Sequence, residues 1–170
     1  MTELRSIPSI PTKILLPIDF SQSSQNALEI ASDLALHFGA KLFLVNVIPF
    51  FPTTTMPDFV PEVSFVEAAR NVAEKRLERC HSILVKKGIM ATTSVEVGND
   101  VSGNIMEVID REEIDMVIIS THGISGWHPL IFGSIAEKVV KLVQCPLLLL
   151  RSTKTEPDQE TLADRLKEWW

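Results

Sequence analysis

The sequence predicts an α/β domain, a five-stranded parallel sheet in the strand order 3-2-1-4-5 with helices on both faces. Three observations lead there. Short apolar runs alternate with longer stretches of helical periodicity from Lys13 to Leu150, and such alternation implies parallel strands joined by right-handed crossovers. Several short runs, Val117-Ile118-Ile119 among them, are apolar at successive positions rather than at every second one, as in strands buried on both faces. Glycine or a small polar residue stands where a helix has to start or stop.

Lys13-Ile14-Leu15-Leu16-Pro17-Ile18-Asp19 is the first strand and ends in a carboxylate. Pro17 has no N–H to give to a ladder, so it belongs near the strand's end. Ser21 caps the first helix, which runs to about His37 with an apolar face of Ala27, Leu28, Ala31, Leu34, Ala35 and Phe38; Gly39 closes it. Lys41 to Ile48 is the second strand. Pro49 to Pro61, with four prolines and three threonines, is a loop longer than most connections, either functional or a surface excursion. Ser64 to Lys87 reads as a long helix with Phe65, Ala68, Val72, Leu77 and Leu84 among its apolar positions, and Gly88 ends it.

Met90 to Val97 alternates as a third strand, with Val95 and Val97 on one face. Gly98-Asn99-Asp100 turns into a short helix, Val101 to Ile109. Asp115 to Ile119 is the fourth strand. The fourth helix runs from Ser134, its N-cap, to Val143, and Gln144-Cys145-Pro146 breaks it before the fifth strand, Leu147 to Leu150. Residues 1–10 are a flexible lead-in, 11–152 the domain, and 153–170 a charged tail. In the tail Leu162, Leu166 and Trp169 share one helical face, so it either docks as a short amphipathic helix or frays.

At 170 residues, 45% of them hydrophobic, the chain suits one domain with a real core. Its net charge of −6 and the absence of a basic stripe argue against nucleic acid as a partner. Cys80 and Cys145 show no paired spacing and read as buried free thiols rather than a metal or redox site. Met1 to Ile10 lacks the pattern of a secretory leader, and no apolar run approaches the roughly 20 residues of a membrane span. The expected location is the cytoplasm.

In the order 3-2-1-4-5 the chain reverses direction between strands 1 and 4, and ligands bind there, beyond the strand C-termini. Asp19 ends one of these strands and Ser120 the other, so both face one crevice. From Ser120 the chain reads Ser-Thr-His-Gly to Gly123, and later reaches Gly133-Ser134 where the helix starts. A glycine-bearing loop between a buried strand and a helix N-terminus suits an anion, because its amides lie outside the helical ladder and the helix dipole is positive there. The same residues also serve simply to end a strand and start a helix. Asp19 has two readings, a magnesium-side carboxylate or a capping and ribose-binding group; the lack of an evident base or second carboxylate favours the latter. His122 suits either a phosphate or a loop hydrogen bond, and His128 precedes Pro129 at an exposed position. No His/Cys cluster has metal spacing.

Gly123, nine intervening residues and Gly133-Ser134 resemble the second half of the nucleotide-binding signature of the universal stress protein family. Gly-Ser-Ile-Ala-Glu-Lys-Val is the most specific piece. Lys-Ile-Leu-Leu-Pro-Ile-Asp-Phe-Ser, Val-Gly-Asn-Asp and Cys-Pro-Leu-Leu-Leu-Leu extend the resemblance over about residues 11–151. It implies a half-Rossmann fold holding ATP or AMP, with or without magnesium, at the switch point. By that resemblance Pro17, Ile18 and Asp19 border the ribose and phosphates, and Val47 offers backbone to adenine. Gly98 lies beside the base, Gly123 and Gly133 admit the phosphates beside Ser120 and His122, and Ser134 with Ile135 supplies donors. It also implies a homodimer through Leu147 to Leu150.

The expected function is therefore a nucleotide-binding regulatory or protective module in a stress response, not a turnover enzyme. Two sequence departures, Ser120 for the signature's first glycine and Ile124 where a basic residue is common, favour an alternative member that works through protein contacts alone. A slow nucleotide hydrolase is a further alternative, although Asp19-Phe20-Ser21-Gln22 is not the Ser-Gly-Gly loop of the pyrophosphatase relatives of this fold.

Overall fold

The computed structural model describes residues 10–50, 63–121 and 133–151. Its elements are β1 (Lys13–Pro17), α1 (Gln22–Phe38), β2 (Lys41–Pro49), α2 (Val63–Lys86), β3 (Ala91–Gly98), α3 (Val101–Arg111), β4 (Met116–Ser120), α4 (Ser134–Leu142) and β5 (Leu147–Leu150). The sheet has the order β3-β2-β1-β4-β5, and every pairing is parallel, as the alternation of elements requires.

Side-chain parity builds the core in two halves. Ile14 and Leu16 of β1, Leu42 and Leu44 of β2 and Ile118 of β4 join α1 and α2 on one face. Leu15, Phe43, Val45, Val117 and Ile119 join α3 and α4 on the other. The register places like with like: Leu15 lies beside both Phe43 and Val117, while Ile14 lies beside Leu42. Ile14, Leu15 and Leu16 are completely buried, which is why this run carries no polar position.

Local choices follow residue chemistry. The Ser21 hydroxyl accepts from the Ser24 amide and starts α1, and Gly39, at φ 64°, ends it in the left-handed conformation that glycine adopts without strain. Gly133, not Ser134, is the N-cap of α4, so Ser134 is the first helical residue and Gly133 contributes no side-chain cap. α2 buries Ala73, Leu77, Cys80 and Leu84, so Leu77 and Leu84 pack as expected. Phe65, Ala68 and Val72 are exposed, because the first turns of this 24-residue helix precede the part packed on the sheet. Cys80 is fully buried, and burial pushes its thiol up to about 11. Cys145 is half-buried rather than buried, because it lies in the break between α4 and β5. Val63 to Lys86, Ala91 to Gly98 and Val101 to Arg111 shift the expected bounds by one or two residues. Residues 51–62, 122–132 and 152–170, with the loop and tail read from the sequence and with His122, Gly123, Ile124 and His128, lie outside the described residues.

The start of the domain is held across the sheet. The Asp115 carboxylate accepts from the Thr12 amide at 2.9 Å, the Thr12 hydroxyl at 2.6 Å and the Lys13 amide at 2.9 Å. It thereby joins the start of β1 to the start of β4, and the Lys13 ammonium donates to the Glu112 carbonyl beside it at 2.8 Å. Asp115→Ala leaves those donors to water and is expected to cost about 2 kcal/mol of stability. Urea denaturation should show a lower midpoint with an unchanged slope, and amide exchange should rise at Thr12 and Lys13; an unchanged midpoint would refute the clasp.

Candidate functional site

The C-terminal ends of β1 and β4 open onto a crevice of about 490 Å³. Pro17, Ile18 and Asp19 line it from the end of β1, and Val45 to Pro49 line it from β2. Ile119, Ser120 and Thr121 line it from β4, Val101 and Ile105 from α3, and Gly133 to Ala136 from α4. The wall is mostly apolar, with the hydroxyls of Ser120, Thr121 and Ser134 and the carboxylate of Asp19 set into it. Asp19 is the only titratable side chain among the described lining residues.

The end of β1 is fixed from two directions. The Ile18 amide donates to the Val45 carbonyl at 2.8 Å, and the Asn46 side-chain amide donates to the Ile18 carbonyl at 2.7 Å. Asn46 is 8% exposed, so this bond satisfies a carbonyl that has left the ladder in a place with little water. Beyond it the chain turns sharply. Asp19 Oδ1 accepts from the Ser21 amide at 3.0 Å and its hydroxyl at 2.6 Å, and the intervening Phe20 has φ 62°.

Two helices begin at the crevice and differ at their N-termini. α3 has Asp100 as its N-cap residue. The Ser102 hydroxyl, donating at 2.7 Å, and then the Gly103 amide hold the Asp100 carboxyl below its usual range, with Lys138 adding a smaller effect from 3.9 Å. A built-in anion therefore sits at this end. The N-cap of α4, Gly133, has no side chain and brings no such charge. Its first ladder bond runs from the Glu137 amide to the Gly133 carbonyl, so the Ser134, Ile135 and Ala136 amides precede the ladder.

The eleven candidate site residues of the sequence reading meet the structure unequally. Pro17, Ile18, Asp19, Val47, Ser120, Gly133, Ser134 and Ile135 all line the crevice. Gly98 does not: it ends β3 beside Pro49 and packs under the Asn104 side-chain amide, which would have to shift to admit a β-carbon. His122 and Gly123 lie outside the described residues. The Gly133 amide is not free for a ligand, because it donates to the Thr121 carbonyl at 2.8 Å. A β-carbon on Gly133 would stand 3.2 Å from that carbonyl, so close approach explains this glycine, whose φ is an ordinary −59°. Sequence reasoning missed Asn46, Thr121, Ala136 and the α3 residues Val101 and Ile105. Asn46 carried the one usable signal, a polar residue inside an apolar strand run.

With this geometry in hand, comparison with known proteins is decisive at the level of family. The model of the universal stress protein family matches residues 11–151. The chain belongs to the universal stress protein family. A universal stress protein of Methanocaldococcus jannaschii is 24% identical over 153 residues, covering 90% of this chain and 89% of that protein. The universal stress protein UspA from Lactobacillus plantarum superimposes with a TM-score of 0.74 at 22% identity, covering 85% of this chain and all of that one. Two further universal stress protein structures are complexes, one with cAMP (TM-score 0.60, 18% identity, 85% and 100% coverage) and one from Archaeoglobus fulgidus with dAMP (TM-score 0.57, 20% identity, 82% and 98%).

Asn46→Asp tests the anchor of β1. It replaces the donor facing the Ile18 carbonyl with a buried acceptor, and the expected cost is about 2–4 kcal/mol at neutral pH. The carboxyl's folded pKa is raised by burial and by the facing carbonyl. Its neutral form regains a donor, so the deficit should shrink as pH falls below the usual carboxylate range and grow as pH rises. Denaturation midpoints at several pH values, identical to those of the wild type, would refute the role given to Asn46.

Proposed function

We propose that this universal stress protein binds an adenine nucleotide, AMP or ATP, in the crevice between β1 and β4 and acts as a regulatory or protective binding module. The observation that carries the reading is the N-terminus of α4. It lacks a side-chain cap, opens into a mostly apolar crevice and stands beside the Ser120 and Ser134 hydroxyls. The contrast with α3, where Asp100 already supplies the negative charge, favours α4 as the phosphate end. The apolar lining from Val45, Val47, Val101 and Ile105 suits the base, with Val47 offering backbone to it. The cAMP and dAMP complexes of related folds support the choice of an adenine nucleotide.

Asp19 suits the ribose better than a metal, because its Oδ1 is already engaged by Ser21 and no second carboxylate lines the described crevice. Magnesium, where present, enters with the phosphates of ATP. The described lining holds neither Lys nor Arg, so recognition rests on amides and dipole, and affinity falls between about micromolar and millimolar. The same scarcity of charge favours, as the second reading, a member that acts through protein contacts without a nucleotide. Turnover is no part of either reading, slow hydrolysis being the most this lining allows. The proposed location is the cytoplasm; among the described residues no helix is long and apolar enough to cross a membrane.

Calorimetry with AMP and Mg-ATP tests the site. Gly133→Val is expected to abolish binding of both while melting stays cooperative, since its side chain occupies the approach to the α4 amides. Asp19→Asn is expected to weaken both ligands alike, by about fivefold to tenfold, as loss of a ribose bond would. Equal affinity in folded Gly133→Val would misplace the phosphates, and a loss confined to Mg-ATP would return Asp19 to the metal.

The proposal includes a homodimer through β5. The Pro146 and Leu150 carbonyls accept from β4, so in a parallel ladder Leu147 and Leu149 turn their N–H and C=O groups outward. All four leucines of this edge are half-buried in the single chain. Apolar, uncharged edges of this kind invite pairing, and a twofold copy satisfies the outward groups. Light scattering should give about twice the 19.0 kDa chain mass, and Leu149→Pro should give the monomer by removing an outward donor. A monomeric wild type that dimerises only when residues 153–170 are deleted would assign the tail as the cover instead.

A further inference from the structure

α2 is longer than the sheet it covers. Its 24 residues extend about 36 Å, against about 30 Å for the nine residues of β2. The helix follows β2, so its first turns begin at the end of the sheet where the crevice opens. Among the described side chains Ala73 is its first buried one, and Phe65 and Val72 stand in solvent before it. One turn after Val72, the Arg76 guanidinium lies over the Phe20 ring, 5.1 Å from its centroid. Here the middle of α2 meets the turn between β1 and α1.

Phe20 has φ 62°, in the left-handed region that residues with a β-carbon avoid unless their surroundings over-determine it. Those surroundings are visible. The ring packs against the core half shared by α1 and α2, and the cation covers it. On the N-terminal side Ile18 is held by Val45 and Asn46; on the C-terminal side Ser21 starts α1. Between these fixed points, the backbone of Phe20 sets the direction of Asp19 relative to Ser21. Rotating Phe20 to an ordinary negative φ breaks the bond from the Ser21 amide to Asp19 Oδ1 and swings the carboxylate relative to the crevice.

The geometry points to Arg76 as a positioning residue for the crevice: by holding the Phe20 ring it keeps the turn left-handed and Asp19 aimed at the ligand. The ligand side of this inference rests on the nucleotide reading above. It makes α2 a lever on the site, although Arg76 is not among the residues lining the crevice.

Two measurements on the full-length chain test it. In Arg76→Ala, exchange of the Ser21 amide is expected to quicken about threefold to fivefold, the size of an exposed cation–π contact, while the core strands exchange as before. Arg76→Lys should restore most of the protection. An unchanged Ser21 rate, or a change shared by every strand, overturns the inference. In calorimetry with AMP, Arg76→Ala should weaken binding by a similar factor. It should add nothing in a Phe20→Gly background, because glycine takes the left-handed conformation unaided. A loss that persists in full in that background, or no loss at all, also overturns it. If the wild type binds no AMP, the nucleotide reading falls, and the Ser21 exchange rate alone decides whether Arg76 holds the turn.

Discussion

Burial of β1 on both faces is the constraint from which the rest of the structure follows. Ile14, Leu15 and Leu16 have no exposed surface, and their neighbours Leu42, Leu44, Val117 and Ile118 have almost none. A strand so enclosed has nowhere to place a polar group except at its ends. At one end the Asp115 carboxylate gathers the Thr12 and Lys13 amides. At the other, Ile18 is held by Val45 and Asn46, and polar chemistry begins one residue later at Asp19. The crevice is where the sheet's apolar interior runs out.

That boundary also explains why the described lining of the crevice carries so little charge. Two helices begin at the same edge, one with its positive end answered by Asp100 and the other left to Gly133. The bond from the Gly133 amide to the Thr121 carbonyl brings the chain back to β4 after residues 122–132 and sets where α4 starts. A larger residue in place of Gly133 would press on that carbonyl, so the same atom that limits the side chain also anchors the helix.

Much of this was legible in the sequence, for identifiable reasons. The strands of β1, β4 and β5 announce themselves as unbroken apolar runs, and Ser21 and Gly39 mark the bounds of α1 through chemistry that works locally. The convergence of Asp19, Ser120, Gly133 and Ser134 was readable because strand order follows from alternation and the switch point from strand order. What was hidden is what depends on distance across the fold. The left-handed Phe20 has no local signature, since phenylalanine gives no reason to expect it. The exposure of Phe65 and Val72 depends on how far α2 outruns the sheet, and helical period alone cannot measure that. The clasp on Thr12 was hidden because its partner, Asp115, lies 103 residues away.

That last separation bears on how the protein is made. β1 is the central strand, yet one of its two neighbours, β4, is synthesised about a hundred residues later. At about 5–20 residues per second the ribosome needs roughly 5–20 s to supply it. During that interval β1 can pair with β2 and pack α1, but its other edge, apolar on both faces, has no native partner. The nascent chain therefore carries an open sheet edge until β4 is made, and such an edge is prone to misassociation. The carboxylate of Asp115 arrives just before β4 and gathers the Thr12 and Lys13 amides at the start of that edge.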